Sequence, residues 1–351
     1  MTSQGSPLAR AVCIAMGLAL LAGPSSADEV FRRGSAKGLK GSITKDSRMG
    51  IEFKPRAGAV VTVPADEIAR VRFTAENPKL NTARNSERNG QLTRALQGYQ
   101  EMLKSLKTRA KQDTEFLVAR AQSKIAMADP TKLDAALQAM TAQAAANANT
   151  FRHYESIEWL GRLKHAKKDF GGASAEYAKL AASPMKSHQM VARNLTGDAL
   201  LAQNRAAEAE KSFDQVVAMT PTGAAQTAAR YEAILGKAMC QQLQGNHGEA
   251  IKSLEGIVAN TDPDEDSRLH ARTFLQKGNC YQAENKSKLA VLEYLKVDLL
   301  YHRSKAEHAA SLYQLAQLWP AAGKPERANE AASKLRKLYP NNEWTQKLAG
   351  E

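Results

Sequence analysis

A spacing that returns five times along the second half of the chain limits its fold more than any other feature. Gly161 is followed by Ala173 twelve residues on, by Tyr177 four after that, and then by Pro184. The same order runs through Gly197, Ala209, Phe213 and Pro221, and through Ala238, Ala250, Leu254 and Pro263. It returns in Gly278, Ala290 and Tyr294, with His302 where a proline would stand, and in Ala316, Ala328, Ala332 and Pro340. Successive small residues lie 36, 41, 40 and 38 positions apart. The pattern predicts two antiparallel helices per unit. The small residue on the first helix leaves a hole, and the alanine lets the second helix approach. The aromatic or leucine four residues on shares the alanine's face and fills the gap. The proline ends the second helix because it cannot continue the hydrogen-bond ladder. One such pair cannot bury its apolar face alone, so units stack and each covers its neighbour.

A helix–turn–helix unit of about 34 residues in this register resembles the tetratricopeptide repeat. The resemblance implies a mainly α fold, an α-α superhelix whose first helices line a concave groove and whose second helices form the outer surface. Carried over by register, it turns Glu158 and Arg162, Asn194 and Asp198, Arg272, Asn279 and Gln282, and Tyr313 and Gln317 toward that groove. It implies a non-catalytic scaffold that holds a protein or peptide there, since such polar groups hydrogen-bond an extended backbone or pair a carboxylate. Family members that clamp a partner's C-terminal carboxylate use lysine, arginine and asparagine together. Only Arg272 and Asn279 match here, and no lysine completes the set.

Residues 28–75 differ in character. Five short β-favouring runs (29–32, 39–44, 50–54, 59–63 and 68–73) alternate with glycine and charge, which predicts a small all-β module, an SH3-like barrel or a curled sheet. Ten lysines and arginines stand against six acids in this stretch. It reads either as a grip for an anionic or peptide ligand or as a cap on the first helix of the array. Glu76–Asn89, with Asn77-Pro78, either links the two parts or opens the array. Residues 91–108 are helical, and Ala95 and Tyr99 repeat the alanine-then-aromatic step. A further helix pair follows, broken at Asp129-Pro130. Residues 76–150 are thus divergent repeats or a helical adaptor, and 151–351 form the array. A short last helix is expected to tuck Trp344 and Leu348 against the preceding pair.

Residues 1–27 have the form of a secretory signal peptide. Arg10 precedes a thirteen-residue apolar run, 11–23, and Ser25 and Ala27 supply small residues for cleavage after Ala27. An uncleaved anchor is the alternative, although the run is short for a membrane span. The expected location is therefore exported, periplasmic or secreted, in a bacterial envelope, with an envelope protein as partner. The formal net charge of +13 also admits an anionic polymer, cell-wall or nucleic acid, held by the β module and the basic residues of 79–111.

No Walker-type phosphate loop, His-Glu-x-x-His, Cys-x-x-Cys or Gly-x-Ser-x-Gly motif occurs, so neither catalysis nor a cofactor is expected. His302 and His308, six apart, fall on different helix faces and read as solvent-facing residues rather than metal ligands. Cys240 and Cys280 occupy matching places in adjacent units. Stacked helices lie about 8–10 Å apart, too far for a disulfide, which predicts two buried free thiols.

Overall fold

The structure is a computed structural model and describes residues 27–74 and 76–350. Apart from Ala27, the expected export signal lies outside the described residues. Among the described residues no helix is long and apolar enough to cross a membrane.

Five strands open the chain: β1 (Asp28–Arg32), β2 (Gly38–Ser47), β3 (Gly50–Pro55), β4 (Val61–Pro64) and β5 (Ile68–Arg72). All neighbours are antiparallel, in the order β4-β3-β2-β1-β5. β4 and β5 form opposite edges, so the sheet is open and the barrel alternative falls. Helices close its apolar face instead of further strands. Val30, Ile51, Phe53, Val63 and Val71 are fully buried. They share one core with Phe151, Tyr154, Ile157 and Leu195 from the helical part.

Helices then follow in pairs: α1 (Pro78–Arg88) with α2 (Leu92–Leu103), and α3 (Thr108–Ala126) with α4 (Leu133–Ala146). Next come α5 (His153–Ala166) with α6 (Phe170–Ala181), and α7 (Lys186–Leu201) with α8 (Ala206–Val217). α9 (Ala224–Leu243) pairs with α10 (His247–Asn260), and α11 (Ser267–Ala283) with α12 (Ser287–Leu300). α13 (Lys305–Leu318) and α14 (Pro325–Leu338) form the last pair, and α15 (Glu343–Ala349) covers its end. Trp344 of α15 stacks on Tyr313 with ring centroids 5.1 Å apart. The polar stretch at 76–89 is a helix rather than a linker. Pro78 sits in its first turn, and Asn77 caps it by accepting from the Lys79 N–H at 2.9 Å.

The repeat register has a direct steric cause. A Cβ at Gly161 would overlap the Tyr177 ring, one at Gly197 the Phe213 ring, and one at Gly278 the Tyr294 ring. Each ring packs against the first helix at its glycine and is fully buried or nearly so. Phe213 is held from both sides, because Gly236 of the next unit admits the same ring. A second recurrent position lies seven residues after the small one. Lys168, Asn204, Gly245, Asn285 and Gly323 all have positive φ, from 58° to 84°. At each turn that residue and the next return two N–H groups to the end of the first helix, as in Asn204 to Leu201 at 2.9 Å and Arg205 to Leu200 at 2.9 Å. This closes the helix in the left-handed manner that glycine and asparagine accept most readily.

His308 departs from expectation. It is 2% exposed, between Tyr339 Oη at 2.8 Å and Asp298 Oδ1 at 2.7 Å. It is a packed core histidine that ties two units together. Cys240 and Cys280 are buried and unbridged, and burial pushes both thiols up to about 12.

We expect Gly236→Ala to destabilise the protein by about 1–3 kcal/mol through overpacking against Phe213. Gly256→Ala, on a helix position with open space around it, should instead stabilise by about 0.5–1 kcal/mol. Urea unfolding of the two variants checks this, and equal effects would remove the steric explanation.

Candidate partner-binding cleft

Around a helix each residue advances by about 100°, so positions ten, six and three before the small residue and one after it fall within about 60° of each other. In α5 these positions are Phe151 (just before the helix), Glu155, Glu158 and Arg162. In α7 they are Ser187, Val191, Asn194 and Asp198. All eight line a single cleft of about 870 Å³, together with Ala228 and Glu232 of α9 and Arg268 and Arg272 of α11. The opposite wall belongs to the sheet. Arg33 and Gly34 after β1, and the segment Ala65–Ala69 leading into β5, reach into it.

The sheet is fixed there by specific bonds. The Ser187 hydroxyl donates to Asp66, and the Phe151 N–H donates to Asp46 Oδ1 at 2.9 Å. Arg109 of α3 donates to the Ile43 carbonyl at 3.0 Å. Gly34 has φ +71°, and a Cβ there would lie 3.1 Å from that of Ala224, so backbone approaches α9 closely. The β module therefore reaches past the first helix of the array and forms part of the groove.

Polar groups along the cleft are mostly paired with one another. Arg162 Nε donates to Glu158 Oε1 at 2.8 Å, and Arg272 pairs with Glu232 between neighbouring units. Asn194 Nδ2 donates to the Ala229 carbonyl at 2.7 Å and so ties α7 to α9, while its Oδ1 is buried without a hydrogen-bond partner. Burial raises the Asp198 carboxyl above its usual range, against the pull of Arg272. Burial likewise lowers His188, which lies 3.0 Å from the Ser183 hydroxyl. A carboxyl of raised pKa thus lines this space beside a buried amide oxygen that has no hydrogen-bond partner.

The structure brings together Glu158, Arg162, Asn194, Asp198 and Arg272 from the sequence-derived set. Asn279 and Gln282 instead face Tyr294, whose hydroxyl lies 2.8 Å from both side-chain oxygens. Tyr313 is buried beneath Trp344 and Lys347, and Gln317 is exposed at the end of α13. Glu155, Glu232 and Arg268 were missed, although they hold the same register positions as Arg272 and its neighbours. The sheet residues left no such signal, because their partners lie far away in sequence.

At one end the cleft rests on a buried ion network. Glu87 of α1 accepts from Arg120 at 2.9 Å and from Lys124 at 2.8 Å, and Tyr99 donates to it at 2.6 Å. Arg120 also reaches Glu155 at 2.9 Å, and Arg152 joins Glu155 at 2.6 Å to Asp113 at 2.8 Å. Burial alone would raise the Glu87 carboxyl, but Arg120 and Lys124 hold it down at about 2 against an ordinary 4.5. A carboxyl depressed on folding contributes stability that is fully present above its ordinary value and is lost as pH falls through the folded one. We expect wild-type stability to fall by about 3 kcal/mol more than that of Glu87→Gln between pH 5 and pH 2, since 1.36 kcal/mol accompanies each pH unit. Chemical unfolding across that range checks it, and parallel curves would deny Glu87 its role.

Among the described residues no three His, Cys, Asp or Glu side chains are grouped to hold a metal ion. Residues 310–342 match the family model of the tetratricopeptide repeat, a span that runs from within α13 through α14 to the turn after it. No curated protein matches the chain. Among solved structures, a tetratricopeptide repeat protein from Parabacteroides merdae is similar at 16% identity and TM-score 0.47, over 74% of this chain and 91% of that one. The type IV pilus biogenesis factor PilW is similar at 17% identity and TM-score 0.41, over 66% and 98%. NprR, in complex with its cognate peptide NprX, is similar at 15% identity and TM-score 0.42, over 75% and 78%. Likeness this distant says nothing about what this chain binds. The matched residues 310–342 form a tetratricopeptide repeat, and the four units before them share its small-residue and alanine register and its left-handed turn.

Proposed function

We propose that the protein is a non-catalytic scaffold that holds a partner protein or peptide in the cleft between its sheet and the first helices of its repeats. The observation that carries this is the stripe across α5, α7, α9 and α11, which turns twelve register-equivalent side chains into one continuous space. Asp198 offers it a hydrogen-bond acceptor, and the ion pairs of Arg162 with Glu158 and of Arg272 with Glu232 lie beside it. An extended backbone carries regularly spaced N–H donors that suit such an acceptor.

Affinity capture with the full chain, at low and high salt, followed by mass spectrometry, tests this. Wild type should retain a defined protein at high salt, and Asp198→Ala should weaken its retention about tenfold, the effect of losing one hydrogen bond to a charged group. Undiminished capture by Asp198→Ala would overturn the choice of cleft. A second reading is binding of an anionic polymer through the sheet and residues 79–111, where Lys79, Arg94, Lys104 and Lys107 are exposed. Retention of salt-labile polymer alone would favour it.

We further propose that the protein acts outside the cytoplasm, in a bacterial envelope. Support comes from the charged flank, apolar run and small residues of 1–27. The intact mass of the protein from fractionated cells should begin at Asp28 in the exported fraction. A cytoplasmic protein retaining residues 1–27 would refute export.

A further inference from the structure

Beside the main cleft lies a second, smaller space. It is a wedge of about 510 Å³ between β1 and β5 of the sheet and helices α1 and α3. The two spaces are continuous, since Ala69, Arg88, Arg120, Lys124 and Arg152 line both. Their charge differs. Along the main cleft cations and acids nearly balance. In the wedge, Arg70, Arg84, Arg88, Arg120, Lys124 and Arg152 face a single carboxylate, that of Glu87.

Most of these cations are already engaged. Glu87 takes Arg120 and Lys124, Glu76 takes Arg84, and Asp113 and Glu155 take Arg152. Two are left over. Arg70 lies on the Phe31 ring, 3.8 Å from its centroid, and among the described residues Arg88 bonds the neutral side chain of Asn85. The acid that acts on Arg70, Glu29, is itself paired with Arg72. Burial lowers the pKa of the Arg70 guanidinium, and Arg84, Arg88 and Arg72 lower it further. The fold thus holds Arg70 and Arg88 at a concave space where, among the described residues, neither has an ion-pair partner of its own. Such an arrangement is unfavourable unless an anion enters.

We propose that this wedge binds a carboxylate-rich segment of the partner peptide whose remainder lies in the main cleft. The inference rests on reading that cleft as the partner site. Three features favour carboxylates on a peptide. The wedge adjoins the main cleft of about 870 Å³ and shares five lining residues with it. Arg70 and Arg88 present planar forks that match a carboxylate in two-bonded fashion. Phe31, Ala36, Ala69 and Leu117 give the wedge an apolar lining, which suits the methylene stems of glutamate better than a phosphodiester chain.

The test uses the full chain and a fluorescein-labelled octaglutamate peptide, read by anisotropy at low salt, with octaglutamine as the uncharged control. Arg70→Gln with Arg88→Gln should weaken octaglutamate binding about tenfold or more, as expected for two lost charge-assisted bonds. Lys211→Gln with Lys252→Gln removes the same charge from exposed positions that line neither space and should change it less than about twofold. Equal weakening in both variants would overturn the site in favour of diffuse surface attraction. So would octaglutamate binding no tighter than octaglutamine. Displacement of octaglutamate by inorganic triphosphate at lower concentration than by free octaglutamate would overturn the carboxylate assignment. Arg88→Gln alone, at an exposed helix position, carries the test if the double variant fails to fold. Asp198→Ala separates the two readings. If it abolishes partner capture while octaglutamate binding ignores Arg70 and Arg88, the cleft stands and the wedge falls. If octaglutamate needs Arg70 and Arg88 but partner capture ignores Asp198, the wedge binds anions without serving the cleft.

Discussion

The contact between an aromatic ring and a bare helix backbone sets the geometry on which the other features depend. Tyr177, Phe213 and Tyr294 reach the axes of their partner helices because Gly161, Gly197 and Gly278 present no side chain there. That close approach fixes how each first helix is rotated within its pair. Rotation in turn decides which side chains face inward, so the stripe along the cleft is a consequence of packing on the other side of the same helices. Ala238 and Ala316 hold the position less tightly, and there Leu254 and Ala332 replace the ring. The tightness of the contact thus varies along the array while the register stays constant.

The sheet depends on the helices for its own stability. Five short strands enclose little volume and expose one face, and an isolated sheet of this size has no second layer to bury that face against. Phe151, Tyr154, Ile157 and Leu195 supply the layer. The ion network of Glu87, Arg120, Glu155 and Arg152 lies beneath the same junction. It is costly to desolvate and is therefore poor evidence of net stabilisation, but its many paired bonds define a single docking geometry. This matters because the cleft is made of both parts.

The helical architecture was legible in the sequence because its cause is local. A glycine, an alanine and a ring at fixed offsets report a steric fit within about twenty residues, and no remote information enters. Five of the nine side chains assigned to the groove line the cleft, for the same reason of register. Asn279 and Gln282 turn instead to a tyrosine hydroxyl that needs partners where it is buried, a demand that competes with facing solvent. Tyr313 is covered by the terminal helix. The sheet's place could not be read, since it is written in contacts such as Asp46 with Phe151 and Asp66 with Ser187, more than a hundred residues apart. His308 was misread because the partners that bury it, Asp298 and Tyr339, belong to the helices on either side of its own.

Stacked helical repeats behave as springs, because each unit touches only its neighbours and small rotations add along the stack. This chain is a spring with a splint. The sheet is bonded or packed to α3, α5, α7 and α9 at once, so the units beneath it cannot twist relative to one another without breaking those contacts. From α11 onward no described contact of the sheet restrains the stack beyond Arg268 and Arg272 at the cleft's rim. The α1–α2 turn braces the stack a second time farther on, since a Cβ at Gly90 would lie 3.2 Å from the Arg303 carbonyl after α12, and a ligand seated against the sheet would meet a wall held at both ends.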